Sequence, residues 1–312
     1  MLIYNVQILL ATYNGERFLR EQLDSLFNQT YQDFTVLVRD DGSTDNTLNI
    51  ITEYQQKFQD KIEIINDDLK NVGATQNFAL LLERSAADYI FFCDQDDIWL
   101  SNKIEKSLAA LIELENNSDT PCMLYTDMKA IDEQGNIIAN SVWQQLHLHP
   151  DYFTLNRLLI QNIPHGCTMA INKSMRNMAS PIPKEAILHD HWISLIASVC
   201  GKSIAVKEPL VLLRNHRENV TRKKNSFSDK LKRFTTNFLS KDEYEYFIKI
   251  RAEQAKALFE RNTNYKTKQQ KEALGQFIQL GETKGFSRKK IFLENKFFRT
   301  TFWHTFKMIA RA

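Results

Sequence analysis

Short apolar runs alternate with amphipathic segments along the first 115 residues. The runs cover residues 6–11, 34–38, 62–65 and 89–93, and a polar turn follows each one. A helical pattern comes next each time, as in residues 16–28, where Leu19, Leu23 and Leu26 share one face. Four strand-then-helix units with short connections predict an α/β fold, with a mainly parallel sheet wound with helices.

The pattern changes after residue 115. We expect strands at 123–127, within 164–171 and at 209–213, and helices at 154–161 and 193–200. Residues 142–151 show no clear periodicity, which is typical of a binding loop. Beyond residue 219 only helical patterns remain, at 228–239, 242–261, 267–280 and 287–310. The sequence therefore predicts an α/β domain followed by a helical extension.

Three carboxylates follow the fourth apolar run within four positions: Asp94, Asp96 and Asp97. Ligands of open α/β sheets bind outside the carboxyl ends of the strands, so these side chains are candidates for a binding site. Carboxylates this close repel one another, and a divalent cation such as Mg²⁺ or Mn²⁺ relieves the repulsion. The alternative is a solvated acidic turn.

Two more carboxylate sites stand at or beside the ends of predicted elements. Asp40 and Asp41 follow the second strand, where Gly42 fits a tight turn and Ser43 or Thr44 is expected to cap the next helix. Asp190 comes just before the helix predicted at 193–200 and could cap it.

Composition points to a soluble globular protein of 312 residues, with 43% hydrophobic and 25% charged residues. The four cysteines are widely spaced without a CxxC pair, which favours free thiols in a reducing compartment. No apolar run reaches the length of a membrane span, and we expect no signal peptide. The net charge of +2 hides an asymmetry, because residues 1–212 carry −12 and residues 213–312 carry +14.

Five motifs together resemble a known family. They are Thr-Tyr-Asn at 12–14, Asp-Asp-Gly-Ser-Thr-Asp at 40–45, Asp-Gln-Asp-Asp at 94–97, His-Asp-His-Trp at 189–192 and Arg-Asn-His-Arg-Glu-Asn-Val at 214–220. In this order and spacing they resemble family 2 glycosyltransferases of the GT-A (Rossmann-like) fold, over residues 3 to about 220. Within the family they are most similar to bacterial rhamnosyltransferases that build cell-wall and capsular polysaccharides.

The resemblance implies roles in binding a nucleotide-sugar. Asp96 would be a metal ligand, and Asp94 would face the ribose or the metal. Asp41 would accept a hydrogen bond from N3–H of uracil or thymine, with Thr12 and Tyr13 beside the base. The alternatives are a helix cap or turn for Asp41 and a packed aromatic ring for Tyr13.

The resemblance also implies an inverting reaction, in which Asp190 is the catalytic base that takes the proton of the acceptor hydroxyl. His189 and His191 flank this residue and could tune its charge, or simply fill space. His216 matches a position where GT-A enzymes often place a further metal or phosphate contact. A histidine in a surface loop is the alternative.

The expected domains are a GT-A catalytic domain at 1–220 and a basic helical extension at 221–312. Within the first, about 1–120 would bind the nucleotide-sugar and about 121–220 the acceptor and base. The resemblance implies a divalent metal (Mn²⁺ or Mg²⁺) as cofactor and a polyprenyl-linked saccharide as acceptor. The best donor is dTDP-rhamnose, with a UDP-hexose as alternative. The protein would be cytoplasmic and peripheral on the inner face of the cell membrane.

A membrane contact is also suggested by the residues of the C-terminal tail. An apolar stripe and adjoining cations fit a helix in a bilayer interface: Ile291, Phe298, Phe302, Phe306 and Ile309, with Trp303, and Lys289, Lys296, Lys307 and Arg311. Packing against the protein's own core is the alternative.

Three other classes of function are alternatives to this interpretation. One is a catalytically inactive nucleotide-binding or scaffold protein on the same fold. A haloacid-dehalogenase-type phosphatase is disfavoured because that family places its Asp-x-Asp on the first strand. Nucleic-acid binding is not expected, because no recognised motif accompanies the basic charge. The sequence leaves the oligomeric state unknown.

Overall fold

The computed structural model describes residues 4–216, 241–261, 265, 267–299 and 302–312. Its four N-terminal strands are the predicted ones: β1 (Val6–Thr12), β2 (Phe34–Asp40), β3 (Ile62–Ile64) and β4 (Tyr89–Cys93). They pair in parallel in the order β3-β2-β1-β4. Along β1, Leu9 joins one apolar cluster while Ile8 and Leu10 join another. These strands are continuous apolar runs because both faces of the sheet are buried.

The other strands make the sheet mixed. They are β5 (Ile98–Trp99), β6 (Cys122–Ile131), β7 (Ile137–Ala139), β8 (Met169–Asn172) and β9 (Lys202–Arg214). Strand β8 is antiparallel to both β4 and β6, whereas β6 and β9 are parallel. The α/β class is confirmed, and the parallel part of the sheet is its first four strands. The short strands β5 and β7 were not predicted.

Helices α1 (Leu19–Phe27), α2 (Thr47–Lys57), α3 (Ala74–Arg84) and α4 (Lys103–Glu115) follow the first strands. The expected cap of α2 was wrong, since the helix starts at Thr47 with Asn46 in the capping position. The hydroxyl of Ser43 instead donates to Asp40 and accepts from the N–H of Asn14. Ser43 therefore closes the turn and does not begin the helix.

Three short helices follow β7. The first lies in the stretch at 142–151 that lacked a clear pattern, and the second lies within the helix predicted at 154–161. They are α5 (Val142–Gln145), α6 (Leu155–Leu158) and α7 (Lys173–Ala179), with a 3₁₀ turn at Gly166–Thr168 before β8. Trp143 on α5 is buried. The stretch at 142–151 therefore contributes to the core as well as to loops. Helix α8 (His189–Cys200) begins earlier than predicted and includes Asp190.

The C-terminal part contains α9 (Lys241–Glu260), α10 (Lys268–Leu280), α11 (Gly285–Glu294) and α12 (Phe302–Arg311). The helix predicted at 228–239 lies outside the described residues. The single helix predicted at 287–310 was wrong: α11 ends at Glu294, and Lys296 adopts a positive φ of 51°. Phe292 and Phe297 are buried in the same apolar cluster as residues of α3 and α8. The extension therefore packs against the α/β part of the chain.

The predicted tail stripe divides accordingly. Ile291 is buried and Ile309 packs against the core, whereas Phe306 is 56% exposed. The side chains of Phe302 and Trp303 lie outside the described residues. No helix in the described part of the chain is long and apolar enough to span a membrane.

Candidate active site

The turns that follow β1 and β2 are joined by hydrogen bonds at the carboxyl edge of the sheet. The Thr12 hydroxyl donates to Asp40 at 2.8 Å, and Thr44 N–H donates to the Asn14 side chain at 2.8 Å. Thr12 is buried, so its side chain supports the turn. The ring of Tyr13 is 41% exposed beside it. Of the two residues predicted beside a nucleobase, only Tyr13 therefore presents its side chain to solvent.

Asp41 holds the turn that leads into α3. Its carboxylate accepts hydrogen bonds from the N–H groups of Val72 at 2.9 Å and Gly73 at 2.8 Å. The buried Arg39 guanidinium lies 3.4 Å from it. Gly73 has a φ of 84°, which a glycine adopts without strain. A carboxylate has about four lone-pair sites, so these contacts do not use all of them, and the side chain itself is buried.

The three carboxylates after β4 have different environments. Asp97 is buried and accepts a hydrogen bond from the N–H of Arg214 at 3.1 Å. Asp94 and Asp96 are partly exposed. An oxygen of Asp96 lies 2.7 Å from Nε2 of His216. The structure thus brings together two residues that stand 120 positions apart and were both predicted to bind a metal.

The electrostatics of this loop favour a cation. The pKa of Asp94 is well above its usual range because of burial first, and then because of the charges of Asp97, Asp96 and Asp190. Burial, followed by the charge of Asp96, raises the pKa of Asp97 to about 7, although the Arg214 N–H opposes this shift. A divalent cation would stabilise the ionised carboxylates.

The donor set at this position fits Mn²⁺ or Mg²⁺. Asp94 and Asp96 would supply oxygen ligands, and His216 would supply an imidazole, which Mn²⁺ also accepts. Among the described residues, the oxygen and sulfur atoms of Asp94, Asp97 and Cys167 also lie within 4.8 Å of one another. Since Asp97 and Cys167 are buried, and thiolate is a softer ligand than either metal prefers, the set with Asp96 and His216 fits better.

Asp190 lies in the first turn of α8 and is buried. It is not the cap, because Leu188 occupies that position. Its two oxygens accept hydrogen bonds from Gly166 N–H at 3.0 Å and His191 N–H at 2.5 Å. Burial raises the pKa of Asp190 to about 7, against the effect of these two N–H groups. The charge of Asp190 is the smallest of the causes that raise the pKa of Asp94.

The two flanking histidines are neutral at physiological pH, because burial lowers the pKa of each to about 3. The ring of His189 lies 4.0 Å from that of Phe78 between centroids. His191 places Nε2 2.6 Å from the carbonyl of Leu158 and Nδ1 3.3 Å from the amide of Gln254 on α9. These rings therefore pack around Asp190 without adding a positive charge to it.

Sequence reasoning missed two buried cations that support the loop. Arg214 donates to the carbonyl of Asp96 at 3.2 Å and to the carboxylate of Glu21 at 2.7 Å. The ammonium of Lys103 lies 3.7 Å from the ring centroid of Trp99, and no hydrogen-bond acceptor is in reach of it among the described residues. Arg214 belongs to the motif at 214–220, but the sequence does not show whether a cation at a strand end is buried.

The comparisons with known proteins agree with this site. The family model for glycosyl transferase family 2 matches residues 7–176, which include β1 to β4 and the carboxylates after them. The chain belongs to glycosyl transferase family 2. Asp190 and His216 lie beyond the matched residues, so their place in the site comes from the structure.

Two curated relatives with names that state a reaction are similar to this chain. This family 2 chain is 31% identical over 239 residues to the dTDP-rhamnosyl transferase RfbG of Shigella flexneri, covering 72% of the chain and 77% of the relative. It is 30% identical over 211 residues to the UDP-Glc:alpha-D-GlcNAc-diphosphoundecaprenol beta-1,3-glucosyltransferase WfgD of Escherichia coli. That match covers 64% of the chain and 76% of the relative.

A solved structure confirms the GT-A fold. The mannosyltransferase PcManGT from Pyrobaculum calidifontis, in complex with GDP-Man and Mn²⁺, aligns with a TM-score of 0.54 and 15% identity. The alignment covers 100% of this family 2 chain and 74% of the mannosyltransferase. At this identity the likeness extends to the fold only.

Proposed function

We propose that the protein is an inverting glycosyltransferase that moves one sugar from a nucleotide diphosphate to a lipid-linked saccharide. The proposed donor is dTDP-rhamnose, and the product belongs to a cell-wall, capsule or other surface polysaccharide. The observation that carries the reaction type is the loop after β4, which bears Asp94 and Asp96 and in which Asp96 lies 2.7 Å from His216. The similarity to RfbG supports the donor.

The carboxylates after β4 would act on the leaving group. Asp94, Asp96 and His216 would hold Mn²⁺ or Mg²⁺, which supplies positive charge to the diphosphate as the glycosidic bond breaks. Arg214 fixes the loop from behind through the carbonyl of Asp96. Tyr13 would lie beside the base, and the unfilled acceptor position of Asp41 would take the N3–H that uracil and thymine share.

Asp190 would act on the acceptor. A hydroxyl becomes a strong nucleophile only as its proton leaves, and a base with a pKa near 7 suits this transfer at neutral pH. Burial supplies that pKa, while the N–H groups of Gly166 and His191 hold the two oxygens in place. Attack from the Asp190 side, opposite the leaving group, inverts the anomeric carbon.

The proposed division of labour follows the chain. Residues up to about 120 bind the nucleotide-sugar, residues from about 121 to 220 bind the acceptor and provide the base, and residues 221–312 form a basic extension. The amide of Gln254 on α9 contacts His191 beside the base, and it also accepts the N–H of Ile187. The extension would therefore support the acceptor side of the site.

We also propose that the extension binds the cytoplasmic face of an anionic membrane. WfgD acts on a diphosphoundecaprenol-linked sugar, so a similar acceptor would lie at a membrane. On α11 and α12, Phe286 is 84% exposed, Leu293 55% and Phe306 56%. Basic side chains accompany them, including the exposed Lys290 and Lys307. Exposed aromatic and aliphatic side chains among cations are typical of a surface that enters a lipid interface.

The membrane proposal is tested by flotation of the full chain with vesicles. We expect binding to anionic vesicles that weakens at high salt, and no binding to neutral ones. Serine in place of Phe286, Leu293 and Phe306 together should abolish flotation without lowering the melting temperature, because all three side chains are exposed. Matched serine substitutions at Leu48 and Leu69, which are exposed on the α/β part, are the control. Unchanged flotation of the triple variant would overturn the proposal.

The donor is tested by nucleotide release from dTDP-rhamnose, UDP-glucose, UDP-galactose and UDP-N-acetylglucosamine, each with Mn²⁺ or with excess chelator. We expect release from dTDP-rhamnose that requires the metal. Release from a UDP-sugar alone would replace the donor and leave the reaction type standing. Equal release in chelator would contradict the metal role, and no release from any donor would favour a binding or scaffold protein.

A further inference from the structure

The residue between the two metal-binding carboxylates has an unexplained contact. The side chain of Gln95 reaches the turn after β1. Its oxygen accepts the N–H of Tyr13 at 2.8 Å, and its nitrogen donates to the carbonyl of Tyr13 at 3.0 Å. Both groups of one primary amide are thus used on a single backbone residue, in the pattern of two paired strands.

This pair connects two loops that have different tasks. The turn with Tyr13 is already fixed to the turn after β2, through Asn14 and Ser43, on the nucleobase side. Asp94 and Asp96 belong to the loop that would hold the metal and the diphosphate. Gln95 therefore links the place for the base to the place for the phosphates, and a nucleotide diphosphate spans both.

Gly15 leaves the space that this amide occupies. A Cβ added to Gly15 would overlap the oxygen and carbon of the Gln95 amide. The backbone of Gly15 is outside the left-handed region, so alanine causes no strain of its own there. The two residues fit as a small residue and the side chain that lies over it.

We propose that Gln95 is a positioning residue that sets the separation of the nucleobase turn and the metal loop. It acts through the backbone of Tyr13 and does not touch the reacting atoms. With the link in place, metal at Asp94 and Asp96 holds the loop where the diphosphate of a base-bound nucleotide meets it, so metal and nucleotide strengthen each other's binding. This inference rests on the proposed function, and it adds a source of cooperation between metal and nucleotide.

The test is calorimetric binding of dTDP and UDP with and without Mn²⁺. In the wild type, Mn²⁺ should tighten binding of at least one nucleotide. In Gln95→Ala this tightening should fall by about 3- to 10-fold, the effect of two partly exposed hydrogen bonds, while metal-free binding changes little. A purely structural role would lower the melting temperature and weaken binding equally in both conditions.

Gly15→Ala provides an independent way to break the same link, because it expels an intact Gln95. We expect it to reproduce the defect, and the double variant to be no worse than either single one. Gly275→Ala on α10, where an added Cβ has no neighbour within 4 Å, is the matched control and should bind like the wild type. Gln95→Glu should not restore the link, since a carboxylate cannot donate to the carbonyl of Tyr13.

The outcomes separate the two proposals. If the wild type shows metal-enhanced nucleotide binding and Gln95→Ala shows the same enhancement, the role of Gln95 is overturned and the proposed function stands. Additive losses in the double variant would also overturn it, because the two residues would then act separately. A wild type that binds neither nucleotide in Mn²⁺ would overturn both proposals.

Discussion

At the scale of single residues, burial separates carboxylates that look alike in the sequence. In the sequence, Asp94, Asp96 and Asp97 form one acidic cluster. In the structure, Asp97 is buried and accepts a hydrogen bond from the N–H of Arg214, whereas Asp96 contacts His216. The motifs placed these carboxylates directly after a strand, and in the structure that strand is β4. They could not show which oxygen is already occupied, because that depends on β9, which reaches the loop from more than 100 residues away.

The role of Asp190 as base gives a prediction for turnover. Asp190→Asn keeps an oxygen for the N–H of Gly166 but cannot take a proton, so we expect turnover to fall by roughly 10²- to 10⁴-fold. Nucleotide affinity, measured by calorimetry in Mn²⁺, should stay within about 3-fold of the wild type, since the side chain lies on the acceptor side. Turnover close to that of the wild type would leave Asp190 with a structural role only.

The raised pKa of Asp190 also predicts how stability depends on pH. Its pKa is about 7 in the folded protein and about 3.9 when unfolded, so between these values the folded state holds the proton more tightly. Stability from this group is therefore present below pH 4 and lost as pH rises to 7. Asp190→Asn has no such loss, and in chelator it should gain on the order of 2–4 kcal/mol over the wild type between pH 5 and pH 8. Urea unfolding at both values measures this difference. An equal difference at the two pH values would contradict the buried, titrating carboxyl.

At the scale of elements, the hydrophobic pattern predicted the strands that are buried on both faces. It did not predict the short strands β5 and β7. The apolar run at Tyr89–Cys93 predicted β4 to the residue. Strand β5 has two residues and exists only because Ile98 pairs with Leu212 on β9. The tail was predicted as one helix because its apolar spacing continues through the break, which is marked by the positive φ of Lys296.

One ion pair joins two elements of the extension and can be tested directly. The buried Arg288 on α11 makes two hydrogen bonds, at 2.8 and 3.0 Å, to the carboxylate of Glu245 on α9. Glu245→Ala leaves that cation buried without its partner, and we expect a loss of about 2–3 kcal/mol in the free energy of unfolding. Removing Glu253, whose pair with Lys249 is exposed, should cost less than about 0.5 kcal/mol. Similar losses for both variants would mean that the buried ion pair stabilises the fold no more than the exposed one.

At the scale of the whole molecule, the extension and the α/β part share a core. The sequence separated them by charge, with −12 before residue 213 and +14 after it, and charge does not report on packing. The packing is set by the apolar faces of α9 to α11. Phe247, Phe277 and Phe292 on these faces are all buried against the cluster that holds α8. Which partner covers an apolar face cannot be read from the face itself.

This shared core predicts the result of shortening the chain. A protein ending at Gly285 lacks Phe292, Phe297 and Met308, which are buried in the common cluster. Exposing the surface they cover should destabilise the whole protein by several kcal/mol, given about 1.5–3 kcal/mol for each large apolar side chain. We expect a lower melting temperature and aggregation. A shortened chain as stable as the full one would show that the extension is independent of the α/β part.

The account as a whole is tested most directly by following the acceptor. A polyprenyl-diphosphate-linked saccharide is incubated with the donor and Mn²⁺, and its mass is measured after addition of the wild type, Asp96→Ala or Asp190→Asn. The wild type should add the mass of one sugar residue, and both variants, shown by circular dichroism to be folded, should add almost none. Nucleotide release without a heavier acceptor, or equal transfer by either variant, would contradict the assignment of these two carboxylates to metal and base.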